Sequence, residues 1–410
     1  MSSYDEYCLS GNPFPTTPIL DPNSDDDRIN GAIYNPEIMA EEIQSFQDKI
    51  RRQPPLIYIE NSDFVRGVGK SALIVQQWRQ LQKHEDLTSI YIRSEKRLKP
   101  ADFAARLINR WHQDGYLWPV VLRVLTACVE ENPDGEITPA GVEAFAEAYP
   151  ELPHRMVSLL NFMVFNPDQL ITDLAAWAHR KVGDGLPIEL ARAAFQSYLT
   201  DPRTFPSTYP KALRRYKWDD ITMLGAMYHL LKLGGYTYHY LFFDQFEDVV
   251  HGLSGQSLIT FNTEMRRLIE ASIGQATMVV SLHPGATATL SSAEGGDITS
   301  IAPLDQRHVV SMWPLTKEEA SLLARTYLDH FRLPGSPPPN PLYPFSAEAI
   351  EEICDTYKGN VRACLQAFNY ALQRGVDEGC SAIDGAFLVK HHADITGRVH
   401  ADEVILKEGF

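Results

Sequence analysis

The sequence predicts an α/β fold: a parallel sheet flanked by helices, interrupted by a large α-helical insertion and followed by a helical C-terminal module. Three observations carry this expectation. Leu56-Ile57-Tyr58-Ile59-Glu60 is a short β-branched and aromatic run, followed by a polar glycine-bearing loop and an apolar-periodic helix beginning at Lys70. Tyr238-His239-Tyr240-Leu241-Phe242-Phe243-Asp244 is a second strong strand, and it ends in an acid. Between them, from about residue 100 to 234, the spacing is helical almost throughout, far longer than the single helix a parallel crossover requires.

Taken in order, the chain opens with Asn12-Pro13-Phe14-Pro15-Thr16-Thr17-Pro18-Ile19, where prolines forbid helix and favour an extended arm. Asp25-Asp26-Asp27 reads as a solvated acidic loop. Asn35-Pro36-Glu37 starts a helix to about Arg52, with Ile38, Met39, Ile43, Phe46 and Ile50 on one face. After the first strand and its helix, Ser89-Ile90-Tyr91-Ile92 predicts a second strand ending in polar Arg93-Ser94-Glu95.

The insertion repeats apolar residues at helical spacing: Phe103, Leu107, Ile108 and Trp111; Val120, Val121, Val124, Leu125 and Cys128; Met156, Leu159, Leu160 and Phe162. Near its end, Arg203, Lys211, Arg214, Arg215 and Lys217 lie among Phe205, Tyr209, Tyr216 and Trp218. Such an interleaving either holds nucleic-acid phosphates and stacks bases or is a solvated helix face over buried rings. Thr277-Met278-Val279-Val280-Ser281-Leu282 and Val309-Val310-Ser311-Met312 supply the remaining strands. Thr316 caps a helix with Glu319 three residues on, and the helical module that follows is broken by Pro337-Pro338-Pro339-Asn340-Pro341.

The chemistry concentrates at Gly67-Val68-Gly69-Lys70-Ser71-Ala72. Glycines let backbone N–H groups turn around phosphate oxygens, the helix N-terminus adds its positive dipole end, and Lys70 can reach the terminal phosphates. Ser71 would then hold Mg²⁺. The phosphate-loop pattern G-x-x-x-x-G-K-[ST] has Phe64 in place of its first glycine, while the half that touches phosphate is intact. An acid at the carboxyl end of a central parallel strand is where nucleotide-bound magnesium needs its protein ligand, which points to Asp244. Glu247 or Asp248 either orients the attacking water or caps the following helix. Ser281 and His283 end the next strand, where they either sense a γ-phosphate or are structural. His391-His392 is read as surface or core, since adjacent helix residues do not share a face.

Composition bounds the partners. With 410 residues and a formal net charge of -16, chain-wide attraction to nucleic acid or anionic membranes is disfavoured, so any DNA contact is local. The N-terminus lacks signal-peptide features and no apolar run approaches the ~20 residues of a membrane span, so a cytoplasmic location is expected. The five cysteines show no C-x-x-C spacing, and free thiols are expected rather than a disulfide framework or zinc site.

In their order, these motifs resemble the AAA+ ATPases, especially the branch of replication initiators and loaders. The resemblance covers about residues 30 to 395 apart from the insertion. Gly67–Ser71 looks like Walker A, Leu241–Glu247 like Walker B, and Val280–His283 like the sensor 1 strand. Leu304-Asp305-Gln306-Arg307 is placed like an arginine finger, Pro314–Glu319 like the start of the lid, and Gly359-Asn360-Val361-Arg362 like sensor 2. Gln245 stands where many AAA+ proteins carry the catalytic glutamate. The string Asp244-Gln245-Phe246-Glu247 is also similar to Walker B of the STAND signalling NTPases.

The resemblance implies a P-loop NTPase whose core spans residues 53–315, with an N-terminal arm and helix at 1–52, a lid at 316–395 and a tail at 396–410. It implies a homo-oligomeric ATPase with ATP and Mg²⁺ bound by the loop residues 67–72, by Asp244 and by Arg362. It implies that Glu247 polarises water, Ser281 senses phosphate and Arg307 completes a neighbour's site; the insertion, which the resemblance does not cover, is expected to carry a protein partner. The expected work is nucleotide-dependent assembly or remodelling of a complex, with DNA in a mobile-element or anti-phage system as one setting for it. The alternative is a slowly hydrolysing or non-hydrolysing nucleotide-gated scaffold.

Overall fold

A computed structural model describes residues 4–61, 67–94, 99–131, 138–148, 166–215, 218–251, 253–292 and 296–408. The predicted apolar runs become five strands: β1 (Leu56–Asn61), β2 (Leu87–Arg93), β3 (Tyr238–Asp244), β4 (Ala276–Leu282) and β5 (Val309–Met312). They pair in the order β2-β3-β4-β1-β5, every pairing parallel. Every residue of β3 and β4 is buried, which is why these strands read as continuous apolar runs: a parallel sheet is covered on both faces.

Alternation sorts the side chains into two cores. Leu56, Tyr58, Leu241, Phe243, Met278 and Val280 face the insertion and share one continuous core with it. Ile57, Ile59, Tyr240, Phe242 and Val279 face the helix Lys70–Leu81 and the helix Ala40–Ile50, which contributes Phe46 and Ile50. The insertion comprises Pro100–Gln113, Leu117–Glu131, Pro139–Ala148, Pro167–Val182, Ile188–Thr200, Phe205–Arg215 and Asp220–Leu233 among its described residues. It is therefore sheet-packed rather than a separate body. Met156, Leu159, Leu160 and Phe162 lie outside the described residues.

The C-terminal helices Lys317–His330, Ala347–Thr356, Val361–Glu378 and Gly385–Glu408 build a third core. The N-terminal arm belongs to it. Phe14 is fully buried between Tyr327 and Phe368, with ring centroids 5.9 and 5.2 Å away. Asn369 donates to the Phe14 carbonyl at 2.5 Å, and Asn12 donates to the Asn369 carbonyl at 3.1 Å. Of the acidic triplet Asp25 is exposed, as a solvated loop requires, while Asp26 pairs with Arg28 at 2.7 Å and Asp27 starts the short helix Asp27–Asn30 and meets His330 at 2.9 Å.

Two boundaries differ from expectation. The helix expected from Asn35 starts at Ala40, because Asn35 Oδ1 accepts from the Glu37 N–H at 3.0 Å in a turn and Met39 takes a left-handed φ of 58°. The last helix runs past residue 395 without a break, with Val399 buried in the module core. Among the described residues no helix is long and apolar enough to cross a membrane.

Candidate functional site

The loop after β1 ends at Gly67 and Gly69, whose φ values of +95° and +101° suit only glycine without strain. Gly67 is also a contact point. A Cβ there would stand 2.8 Å from Arg362 Cβ and 2.8 Å from Asn360 Oδ1, and the Arg362 N–H donates to the Gly67 carbonyl at 3.1 Å. The C-terminal module thus rests directly on the loop. Gly69, in turn, faces the thioether of Met39.

Five of the residues singled out by sequence converge beside this loop. The Ser71 hydroxyl donates to Asp244 Oδ1 at 3.0 Å, and Lys70 Nζ lies 3.5 Å from Glu247 Oε1. Ser281 donates to Glu247 Oε2 at 2.7 Å. Lys70 also bonds Asn61 Oδ1 at 3.0 Å and the Leu282 carbonyl at 2.5 Å. They meet because β1, β3 and β4 are adjacent and parallel, so their carboxyl ends share one edge of the sheet.

The electrostatics divide the two acids. Burial and the charge of Glu247 push the Asp244 carboxyl up, against hydrogen bonds from Ser71, Tyr91 and the Gln245 N–H. Burial also pushes Glu247 up, but the Lys70 ammonium and the Ser281 hydroxyl together outweigh it and hold Glu247 below the usual glutamate range. An added cation would therefore favour the charged form of Asp244, as the Lys70 ammonium already favours that of Glu247.

A cavity of about 560 Å³ opens from this cluster between the sheet, the arm and the C-terminal module. Residues 67–73, Gln245, Glu247 and Asp248 line its polar end. Leu20, Ile33, Tyr34, Ile38, Leu323 and Tyr327 line the apolar end, and Arg362 closes one side. Val68 and Ala72, expected among the nucleotide-binding residues, lie in this wall.

Other expected residues fall elsewhere. Arg307 is exposed, precedes β5 and forms a close ion pair with Asp305 at 2.6 Å. Since Val309 pairs with Tyr58, Arg307 is at the amino end of the sheet, away from its own chain's cluster. His283 caps the helix Pro284–Leu290, its Nδ1 accepting from the Ala286 N–H at 3.1 Å. His391 is buried and meets Glu378 at 3.2 Å, and among the described residues no group of three or more His, Cys, Asp or Glu side chains is placed to hold a metal ion. None of the five cysteines is in a disulfide.

In the basic-aromatic segment, Phe205 and Tyr209 are fully buried and stacked at 5.0 Å, so neither offers a face to a base. Arg203 is exposed and paired with Asp201, and Lys211 is exposed. Phe64, Lys217 and the side chains of Arg214 and Arg215 lie outside the described residues.

Sequence reasoning missed Asn61, which holds Lys70, and Tyr91, whose hydroxyl donates to Asp244 Oδ2 at 3.0 Å. It also gave no role to Arg93, whose Nε donates to Gln245 Oε1 at 3.0 Å. All three lie at or near the carboxyl end of a parallel strand, a signal that a search for polar strand ends would have found. No family model, no curated protein and no solved structure matches the chain.

Proposed function

We propose that the chain is an ATPase of AAA+ type that binds ATP with Mg²⁺ and uses its hydrolysis to assemble or remodel a partner complex in the cytoplasm. The observation that carries this reading is the meeting of Lys70, Ser71, Asp244 and Glu247 around a helix N-terminus at the carboxyl edge of a parallel sheet. The donor set fits magnesium: two hard oxygens, on Ser71 and Asp244, 3.0 Å apart, one of them on a buried carboxylate whose charge burial disfavours. Bound there, the ion would neutralise phosphate charge.

The loop amides and Lys70 bind the phosphates. Lys70 has a flexible stem and exchanges its contacts with Asn61, the Leu282 carbonyl and Glu247 for phosphate oxygens. That exchange frees the Glu247 carboxylate, still held by Ser281, to take a proton from the attacking water. The water oxygen bonds to the terminal phosphorus as the bridging P–O bond breaks, its electron pair leaving on ADP, so that ADP, phosphate and a proton are released. Arg362, whose backbone is bonded to Gly67, links loop occupancy to the C-terminal module acting as a lid. Arg307 serves a neighbouring subunit after leaving Asp305, and the insertion carries the partner surface.

A second reading, a nucleotide-gated switch that hydrolyses slowly or not at all, is favoured by Gln245 beside Asp244 and by the triple engagement of Lys70. Phosphate release separates the two. Steady turnover by wild-type protein, lost in Glu247→Gln with ATP still bound, supports the ATPase; ATP binding without turnover supports the switch.

A further inference from the structure

Gln245 has a left-handed backbone, φ 56°, a region that non-glycine residues occupy rarely and that marks functional sites when the surroundings hold it. Three features hold it here. Its N–H donates to Asp244 Oδ1 at 2.9 Å, the next residue Phe246 is locked among Phe103 and Phe261, and its side-chain oxygen accepts from Arg93 Nε at 3.0 Å. Arg93 ends β2 directly opposite Asp244 in the register, and Ser94 N–H bonds the Asp244 carbonyl at 2.8 Å. The guanidinium is therefore built into the same strand ends as the magnesium ligand.

A guanidinium donates and never accepts, so the oxygen of the Gln245 carboxamide is the atom that must face Arg93. The NH₂ group is left at the other end of a side chain that lines the cavity beside Glu247 and Asp248. This neighbourhood already holds the acids Asp244, Glu247 and Asp248. A further carboxylate at position 245 would oppose phosphate, whereas an amide polarised by a cation supplies a donor where negative charge develops.

We propose that Gln245 is a catalytic residue whose carboxamide NH₂ donates to the terminal phosphoryl oxygens during transfer, and that Arg93 is the positioning residue that fixes its orientation. This rests on the ATPase reading above. Glutamine 245 is then a donor in its own right and not a disabled base, the base being Glu247.

The test uses the full-length protein with Gln245→Ala, Gln245→Glu, Arg93→Ala and the double alanine variant. It measures ATP turnover and the affinities for ADP·Mg²⁺ with and without aluminium fluoride, which mimics the phosphoryl group in flight. Gln245→Ala is expected to lower kcat about a hundredfold with KM unchanged, as loss of one transition-state donor does, and to weaken binding of the aluminium fluoride complex but not of ADP·Mg²⁺. Arg93→Ala follows in the same direction, about tenfold, and adds nothing to Gln245→Ala in the double variant. Gln245→Glu is also slower than wild type.

Faster turnover by Gln245→Glu would overturn the proposal, because the missing group would then be a carboxylate. Additive losses in the double variant, or equal weakening of ADP·Mg²⁺ with and without fluoride, would assign the pair a structural role and overturn it too. Failure of wild-type protein to bind ATP sinks the ATPase reading itself, an outcome distinct from a normally active wild type indifferent to Gln245→Ala.

Discussion

The two ends of β3 show how differently one strand can treat its polar residues. At its start His239 faces the insertion, bonded at 2.9 Å to Thr88 Oγ1, which also accepts from Trp111 Nε1 at 2.9 Å, while Tyr228 stacks on the imidazole at 5.2 Å. Every partner there comes from the packed core, and burial, with Lys232 adding to it, pushes His239 down to about 3. At the other end Asp244 is equally buried but opens on a cavity, and its partners Ser71, Tyr91 and the Gln245 N–H are neutral donors. One end satisfies a polar group for stability; the other leaves a buried carboxyl that a ligand cation would complete.

Perturbing each end separately gives the largest expected contrast. Trp111→Ala should cost about 3–5 kcal/mol in urea unfolding, because a fully buried indole leaves a cavity, while protein that remains folded binds ATP as before. Ser71→Ala should cost only about 1 kcal/mol, the worth of one hydrogen bond, yet abolish magnesium-dependent phosphate release. A Ser71→Ala variant with full activity would break the contrast.

Acid separates the two ends by sign. The His239 value is depressed when folded, so between 6.5 and about 3 the unfolded chain binds a proton that the native state refuses. Stability present above 6.5 is therefore lost as pH falls, on the order of a few kcal/mol. The Asp244 value is raised, so the native state keeps a proton longer and stability falls as pH rises from the ordinary value of 3.8 through the folded one. Unfolding free energy measured across pH 3–7 should show a shallower acid loss in His239→Gln than in wild type. Asp244→Asn should remove the opposing slope and with it the stabilisation by Mg²⁺ and nucleotide.

The smallest stability effect belongs to Arg307. Its pair with Asp305 is solvent-exposed, so Arg307→Ala should leave the unfolding midpoint unchanged. Mixing Arg307→Ala with Lys70→Ala protein should restore some hydrolysis through mixed interfaces once subunit exchange is verified. No recovery in verified mixed assemblies would remove Arg307 from the neighbour's site.

The same contrast explains what was legible in the sequence. β1 to β4 could be read because a doubly covered parallel strand writes its burial as a near-continuous apolar run, and the edge strand β5 because its short β-branched run alternates in burial. Gly67, Gly69, Lys70 and Ser71 could be picked out because their spacing is local, and Asp244 because it ends an apolar run. What could not be read depends on distant partners. Nothing in Asn12-Pro13-Phe14-Pro15 says that Phe14 ends among Tyr327 and Phe368, more than three hundred residues away. The insertion's period gives helices but not that their apolar faces merge with the sheet. Tyr91 and Arg93 escaped notice because parallel register carries them to Asp244 and Gln245, and Asn61 because it is the Lys70 side chain that reaches back to the end of β1. Met39 adopts a left-handed conformation that helix periodicity could not anticipate.

The most direct test of the central claim is calorimetric titration of the wild-type chain with ATP and Mg²⁺, beside Lys70→Ala and Asp244→Asn. One ATP site per chain is expected in the wild type, with binding lost in Lys70→Ala and its magnesium dependence lost in Asp244→Asn. No binding by the wild type, or equal ATP affinity in wild type and Lys70→Ala, would contradict the assignment of this cavity to a nucleotide.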